Sequence, residues 1–338
     1  MSNTAVNAVS SDSLNIPLID FSSFISGDEA NIRSTAQQIL SGFQNAGFIY
    51  LKNHPITKPT VQTTFDLSAK FFARPLEQKD ALSWTTPEAN RGYSGQGREK
   101  TSNAFDIDDI AKEREQAGAD LKESFEIGRE GVEGMPNHWP DQFDRDGEAF
   151  KKHVLEFFEQ CKDLHVQIMR SIAVGLGIDR SWFDGYCDDG DNTLRLLHYP
   201  EVDAKVFKQN KNQVRAGAHS DYGSITLLFQ DMRGGLQVLS PNGNFIDATP
   251  IEDTIVVNAG DLLARWSNDT IKSTEHRVVE PSTKADTHPP RYSIAYFCNP
   301  NYESVIESIP STFDGPQGKK YEAVKSGDYL VQRLTATY

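Results

Sequence analysis

Ala216-Gly-Ala-His219-Ser-Asp221-Tyr222-Gly-Ser-Ile-Thr-Leu-Leu-Phe229 is the stretch from which the rest of the chain is best read. After Gly223 the run of Ile, Thr, Leu and Phe has the composition of a strand, and on the approach to it side chains two apart share a face. His219 and Asp221 therefore point the same way. One imidazole and one carboxylate on a common face form two legs of a 2-His-1-carboxylate site, an arrangement that leaves positions open on a ferrous ion. The second histidine must come from elsewhere. His276 is the candidate, in Trp266-Ser-Asn-Asp-Thr-Ile-Lys-Ser-Thr-Glu-His276-Arg-Val-Val, where the closing Val-Val reads as a strand that would carry it into the same core. A lone His-x-Asp is a weak signal among eight histidines and 48 acidic residues, and a polar turn ahead of a strand is the plain alternative. A third element shifts the balance. Arg291-Tyr292-Ser293 opens the run Ile-Ala-Tyr-Phe297, and alternation places Arg291, Ser293, Ala295 and Phe297 on one face. A guanidinium beside a hydroxyl is suited to grip a carboxylate through a charge-assisted fork and one further hydrogen bond.

Composition bounds what such a site would act on. At 338 residues and 38% hydrophobic, the chain is long enough to bury a substantial core. No stretch is long and apolar enough to span a bilayer, so no membrane partner is expected. With 34 basic against 48 acidic residues the net charge is −14, which repels a phosphate backbone. A nucleic-acid polymer is thus not the expected substrate, whereas a neutral small molecule is not penalised. Cys161, Cys187 and Cys298 are widely spaced and odd in number, which predicts buried, reduced thiols rather than a disulfide framework. The first fifteen residues lack Lys and Arg, arguing against a secretory or transit leader; the expected location is cytoplasmic.

Along the chain, residues 1–15 read as a disordered lead. Residues 16–130 form an N-terminal region: a strand at Ile16–Phe21, a helix over 29–47 with Ile32, Ala36, Ile39, Leu40 and Phe43 on one face, and a strand at Phe48–Leu51. A second helix with Val61, Phe65, Ala69 and Phe72 on its apolar face follows. Asn90-Arg-Gly-Tyr-Ser-Gly-Gln-Gly-Arg98 has three glycines but neither a Gly-Lys-Ser/Thr ending nor an apolar strand ahead of it, so it reads as a bend bordering a pocket, not a phosphate loop. The charged stretch 101–120 reads as solvated surface or a mobile lid. Residues 131–190 supply a linker and a long buried helix over 148–177, in which His153 and His165 read as packed or surface residues rather than ligands. From 191 to 338 short apolar strands broken by Gly, Pro, Asn and Asp predict an antiparallel sandwich or jelly roll.

In order and spacing, His219-x-Asp221, His276 and Arg291-x-Ser293 resemble the iron(II) and 2-oxoglutarate-dependent dioxygenases, in the branch that includes isopenicillin N synthase and the plant flavonoid and gibberellin oxygenases. Ile16-Pro-Leu-Ile-Asp20-Phe, Asn258-Ala-Gly260-Asp261 and the stretch from Ser267 to Val278 extend the resemblance over nearly the whole chain. It implies an α+β fold with a double-stranded β-helix (jelly-roll) core and N-terminal and flanking helices. It further implies Fe(2+) on His219, Asp221 and His276, with 2-oxoglutarate and O2 as cosubstrates. Arg291 and Ser293 would hold the distal carboxylate of 2-oxoglutarate, and Tyr199, a tyrosine just before proline, would touch the same molecule. The chain departs from many relatives in having Leu197 and His198 where they carry Asn.

Arg195 shares a face with Leu197 and Tyr199, and a guanidinium there is costly to bury without an anionic or strongly polar partner. A salt bridge to a core carboxylate is one explanation; a substrate contact is the other. Asn90-Arg-Gly-Tyr-Ser, Leu194-Arg-Leu-Leu-His-Tyr-Pro200 and Tyr296-Phe-Cys-Asn-Pro300 resemble the members of the family that oxidise a free pyrimidine base in pyrimidine salvage. That resemblance implies Asn90, Arg195 and Tyr222 around the base and Phe297 stacked on it. The reaction would be hydroxylation of the 5-methyl group of thymine, with further rounds to the aldehyde and acid. Hydroxylation or desaturation of a secondary metabolite, oxidase chemistry without 2-oxoglutarate, and a jelly-roll module that only holds a metal are the alternatives.

Overall fold

A computed structural model of the chain describes residues 6–98, 120–209, 214–280, 286–313 and 318–337. The strands are β1 (Val6–Ser11), β2 (Leu14–Asp20), β3 (Phe48–Lys52), β4 (Gly92–Ser94), β5 (Glu123–Gly128), β6 (Thr193–Tyr199), β7 (Val202–Asp203), β8 (Ala216–His219), β9 (Ile225–Gln230) and β10 (Leu236–Leu239). They continue with β11 (Phe245–Asp247), β12 (Thr254–Ala259), β13 (His276–Val278), β14 (Thr287–His288) and β15 (Arg291–Cys298). One sheet runs β1-β2-β3-β12-β9-β15-β6-β5-β4, and a second runs β11-β10-β13-β8. In the large sheet β2 and β3 are parallel, whereas the strands that carry the site residues pair antiparallel. The two sheets form the double-stranded β-helix that the resemblance implies.

Alternation along the large sheet sends one set of side chains outward against a layer of helices. Chief among these is the helix Arg145–Leu176, three residues longer at its start than the apolar spacing predicts because Asp144 caps it, accepting from the Gly147 N–H at 2.7 Å. Its Phe157 and Phe158 meet Phe229 of β9 and Tyr296 of β15 at ring-centroid distances of 5.3 and 5.0 Å. Each fully buried side chain of this kind contributes roughly 1.5–3 kcal/mol. The helix Glu29–Asn45 buries Ala36, Ile39, Leu40 and Phe43 as expected. Gly47 beyond it has φ 71°, and a Cβ there would lie 2.5 Å from Thr274 Oγ1 and 2.6 Å from the Lys272 carbonyl. A glycine is therefore what lets the segment leading to His276 pack so closely.

Two expectations need revision. The lead at 1–15 contains strand β1, which pairs with β2 through a tight turn at Asp12 and Ser13, φ 51° and 64°. Asp12 accepts hydrogen bonds from Ser240, Asn242 and Asn244, so the hairpin is fixed by residues far along the chain that composition does not reveal. In the helix Lys58–Phe72 the deepest burial falls on Thr64, Ser68, Phe71 and Phe72 rather than on Val61, Phe65 and Ala69. Small side chains allow close packing there, and the Thr64 hydroxyl lies 2.9 Å from Nε2 of His153 on the long helix. The expected lid, 101–120, lies outside the described residues except for Asp120, which is buried and accepts from the Gly217 N–H at 3.1 Å. The three cysteines are buried and unpaired, and no described helix is long and apolar enough to cross a membrane.

Candidate active site

β8 and β13 are antiparallel neighbours in the small sheet, and their register sets His219 directly opposite His276. Asp221 follows β8 by two residues. Gly223 makes the turn that returns the chain into β9; a Cβ there would stand 2.4 Å from both the Cys298 carbonyl and Asn299 Oδ1. The result is a cluster in which one ligand atom from each of His219, Asp221 and His276 lies within 4.8 Å of the others. Nε2 of each histidine is 3.8 Å from Asp221 Oδ1.

Hydrogen bonds on the far sides of these groups aim them. Nδ1 of His219 lies 2.7 Å from the Gly217 carbonyl and Nδ1 of His276 lies 3.3 Å from the Thr274 carbonyl. A carbonyl only accepts, so each Nδ1 is the donor and each Nε2 lone pair is left for a metal. Asp221 Oδ2 accepts from Thr226 Oγ1 at 2.5 Å and from Asn258 Nδ2 at 2.7 Å, leaving Oδ1 toward the histidines. Burial and the adjacent His276 push His219 down to about 4, so it is neutral at physiological pH. For Asp221, burial acts upward, but the two imidazoles and the two hydrogen bonds outweigh it and hold the carboxyl below its usual range. Two imidazole nitrogens and one carboxylate oxygen make a donor set suited to a divalent iron ion.

Arg291 lies beyond the triad on β15, 1% exposed. Its partners are neutral: the Gly234 carbonyl accepts from Nε at 2.9 Å, Ser293 Oγ lies 3.2 Å from Nη1, and Gln230 Oε1 lies 3.4 Å from Nη2. Tyr199 lies beneath the guanidinium, 4.9 Å away. Arg215, also 1% exposed, flanks the same ring at 6.0 Å, and burial together with Arg291 lowers its pKa. Among the described residues no carboxylate forms an ion pair with either arginine. Arg291, buried and lining the cavity with no ion-paired carboxylate among the described residues, is suited to receive an anion, whereas Arg215 lies behind it and feels Asp231 and Glu280 from a distance.

The other end of the cavity differs in charge. β6 lies between β5 and β15, so that Arg195 faces Glu126 on one side and Ala295 on the other. Arg195 Nε pairs with the fully buried Glu126 at 2.8 Å, and the guanidinium sits 5.2 Å from the centre of the Phe297 ring. Arg195 is therefore salt-bridged to a core carboxylate, the first of the two explanations offered for it, and it also lines the cavity. Asn90, at φ 46°, and Tyr222 line the same cavity, whose volume is about 140 Å³. Asn90 Oδ1 accepts from Trp84 Nε1 at 3.0 Å. His198 faces away, 2.7 Å from Glu123 and stacked 4.7 Å from Tyr292, as its place on the opposite face of β6 predicts.

All ten residues singled out from the sequence border one cavity: His219, Asp221 and His276; Arg291, Ser293 and Tyr199; Asn90, Arg195, Tyr222 and Phe297. Others were missed. Lys122 lines it, paired with Asp120 in a buried ion pair. Leu330 and Leu334 close it from the C-terminal helix Ser326–Thr337, where Arg333 lies over the Tyr222 ring at 4.7 Å. The i, i+3, i+4 spacing of Leu330, Arg333 and Leu334 marks a helix face, and nothing local marks what it covers.

A double-stranded β-helix holding two histidines and a carboxylate beside a buried anion site defines a non-haem iron oxygenase that uses an anionic cosubstrate. The chain belongs to the 2OG-Fe(II) oxygenase superfamily, whose pattern it matches over residues 190–300, and residues 16–142 match the N-terminal region described as that of the non-haem dioxygenase in morphine synthesis. It is a dioxygenase working with iron(II), 2-oxoglutarate and O2. It resembles thymine 7-hydroxylase: the Neurospora crassa enzyme, solved in complex with alpha-KG and thymine, is 63% identical with TM-score 0.91, the match covering 98% of this chain and 100% of that one. The 2-oxoglutarate-Fe(II) type oxidoreductase ppzD of Metarhizium rileyi is 33% identical over 95% of this chain and 90% of its own length. Proline hydroxylase buaE of Petromyces alliaceus is likewise 33% identical, over 96% of this chain and 100% of its own.

Proposed function

We propose that this dioxygenase hydroxylates the 5-methyl group of free thymine to 5-hydroxymethyluracil, with further rounds to 5-formyluracil and 5-carboxyuracil. In this reading His219, Asp221 and His276 hold the iron, Arg291, Ser293 and Tyr199 hold 2-oxoglutarate, and Asn90, Arg195, Tyr222 and Phe297 surround the base. One observation carries it. The four base-side residues border the same cavity as the triad and the grip, in a chain 63% identical across its length to a thymine 7-hydroxylase bound to thymine.

Iron with 2-oxoglutarate and O2 supplies the oxidising chemistry, one oxygen atom going to succinate as CO2 leaves and the other to the substrate carbon. The chain's own groups bind, orient and exclude water. Arg291, which lines the cavity, attracts the doubly charged cosubstrate, and Ser293 adds a hydrogen bond beside it. At the base end, Glu126 already neutralises Arg195, so a neutral ring is favoured there over an anion. Phe297 offers a stacking face in register with Arg291 and Ser293, and Leu330 and Leu334 keep the reacting methyl group dry.

A second reading keeps the iron chemistry and changes the substrate to another small metabolite. The 33% identity to a proline hydroxylase is what favours it. An amino acid would bring its own carboxylate to an end of the cavity where Arg195 is already paired, which weighs against it. Substrate-dependent succinate release across a panel of free pyrimidines, proline and other metabolites tests the choice. Release with thymine well above the substrate-free rate is expected; silence with every pyrimidine and turnover of an unrelated metabolite would overturn the thymine reading.

A further inference from the structure

The cavity residue whose chemistry is set most sharply from behind is Asn90. The loop before it is closed by its own backbone, the Asn90 N–H donating to the Thr86 carbonyl at 2.8 Å. Asn90 itself adopts φ 46°, a conformation that asparagine tolerates better than most residues. Behind it lies Trp84, 6% exposed, with the guanidinium of Arg98 4.8 Å from its ring. Trp84 Nε1 donates to Asn90 Oδ1 at 3.0 Å. An indole N–H can only donate, so the amide cannot be turned round without setting two donors against each other in a buried place. The Asn90 oxygen is thereby held back, and the amino group is the polar end left for the cavity that Asn90 lines.

We propose that Trp84 is a positioning residue that sets substrate specificity, by making Asn90 a donor toward the base. Arg195 is a donor by nature, so the site presents donors at both of its polar walls. This inference rests on the pyrimidine reading and deepens it. Thymine carries two ring carbonyls and meets a donor at each in either orientation. 5-Methylcytosine has the same methyl group and ring but an amino group in place of one carbonyl, and sets that amino group against a donor. Rejection of this kind, through a mismatched buried hydrogen bond, discriminates more steeply than loss of apolar contact.

The test is a competition between equal concentrations of thymine and 5-methylcytosine with the iron- and 2-oxoglutarate-loaded full chain, the oxidised products quantified by mass spectrometry. The wild type should favour thymine. Trp84→Phe, which frees the amide to turn, should lower the thymine to 5-methylcytosine ratio by about tenfold, the worth of roughly one buried hydrogen bond, with KM for 2-oxoglutarate unchanged. Asn90→Asp keeps an acceptor for the indole and presents the second oxygen to the base; it should lower the ratio further. Thymine turnover with the ratio unchanged in both variants would overturn the role of Trp84. No wild-type turnover of thymine would overturn the substrate reading and this inference with it.

Discussion

The two faces of the large sheet are made from alternate residues of the same strands, yet they differ in kind. Outward, Leu194, Leu196, Leu227, Phe229, Val257 and Ile294 are buried against the helices and carry no polar side-chain atom. Inward, Arg195, Tyr199, Thr226, Asn258, Arg291 and Ser293 border the cavity with groups that bond, charge or polarise. Sliding any strand by one residue would exchange the two sets, so the apolar face fixes the register and with it the aim of every polar group opposite. Stability and chemistry are thus separated by one position in sequence. The face that holds the sheet to the long helix is also what sets the accuracy of the site.

That contrast can be broken at either face. The largest effect should come from the triad: His276→Ala is expected to abolish 2-oxoglutarate turnover while the chain stays folded by circular dichroism, because a two-residue remnant does not complete the facial ligand set. Near-normal turnover in this variant would remove His276 from the site. On the outward face, Leu227→Ala should cost about 2–5 kcal/mol of unfolding free energy in a denaturant titration, with kcat of the folded enzyme unchanged. A loss of turnover without a loss of stability would show that the two faces are not separable. Arg291→Ala sharpens the comparison from within. Losing hydrogen bonds to a charged partner should raise KM for 2-oxoglutarate by roughly 10–100-fold. The cosubstrate-free protein should be no less stable, since removing a buried cation that has no ion-paired carboxylate among the described residues relieves a desolvation cost. A clear drop in its melting temperature would mean that Arg291 is structural.

Much of this was legible in the chain because period-two alternation reports a face directly. It placed Arg291, Ser293, Ala295 and Phe297 together, and Arg195 with Tyr199, and it put His198 on the opposite side; the strand registers agree. The helix Arg145–Leu176 was legible for the same reason at a period of 3.6, and His219 and Asp221 from their spacing alone. His276 was legible only as a candidate ahead of an apolar Val-Val, since nothing within its own stretch says which strand it will pair with.

What the sequence by itself determined, then, is which side chains share a face and which of them carry unusual chemistry for a buried position. What only the tertiary structure decided is what those faces meet. Glu126 lies opposite Arg195 because β5 and β6 pair although the long helix separates them in sequence. The hairpin of β1 and β2 is held by Ser240, Asn242 and Asn244, and the cavity is roofed by Leu330 and Leu334 from the last helix. Trp84 turns Asn90 into a donor through one hydrogen bond. Periodicity is a property of the local backbone and survives in the sequence. A counter-charge or a capping surface is supplied by a distant part of the chain, and its location exists only once the sheets have closed.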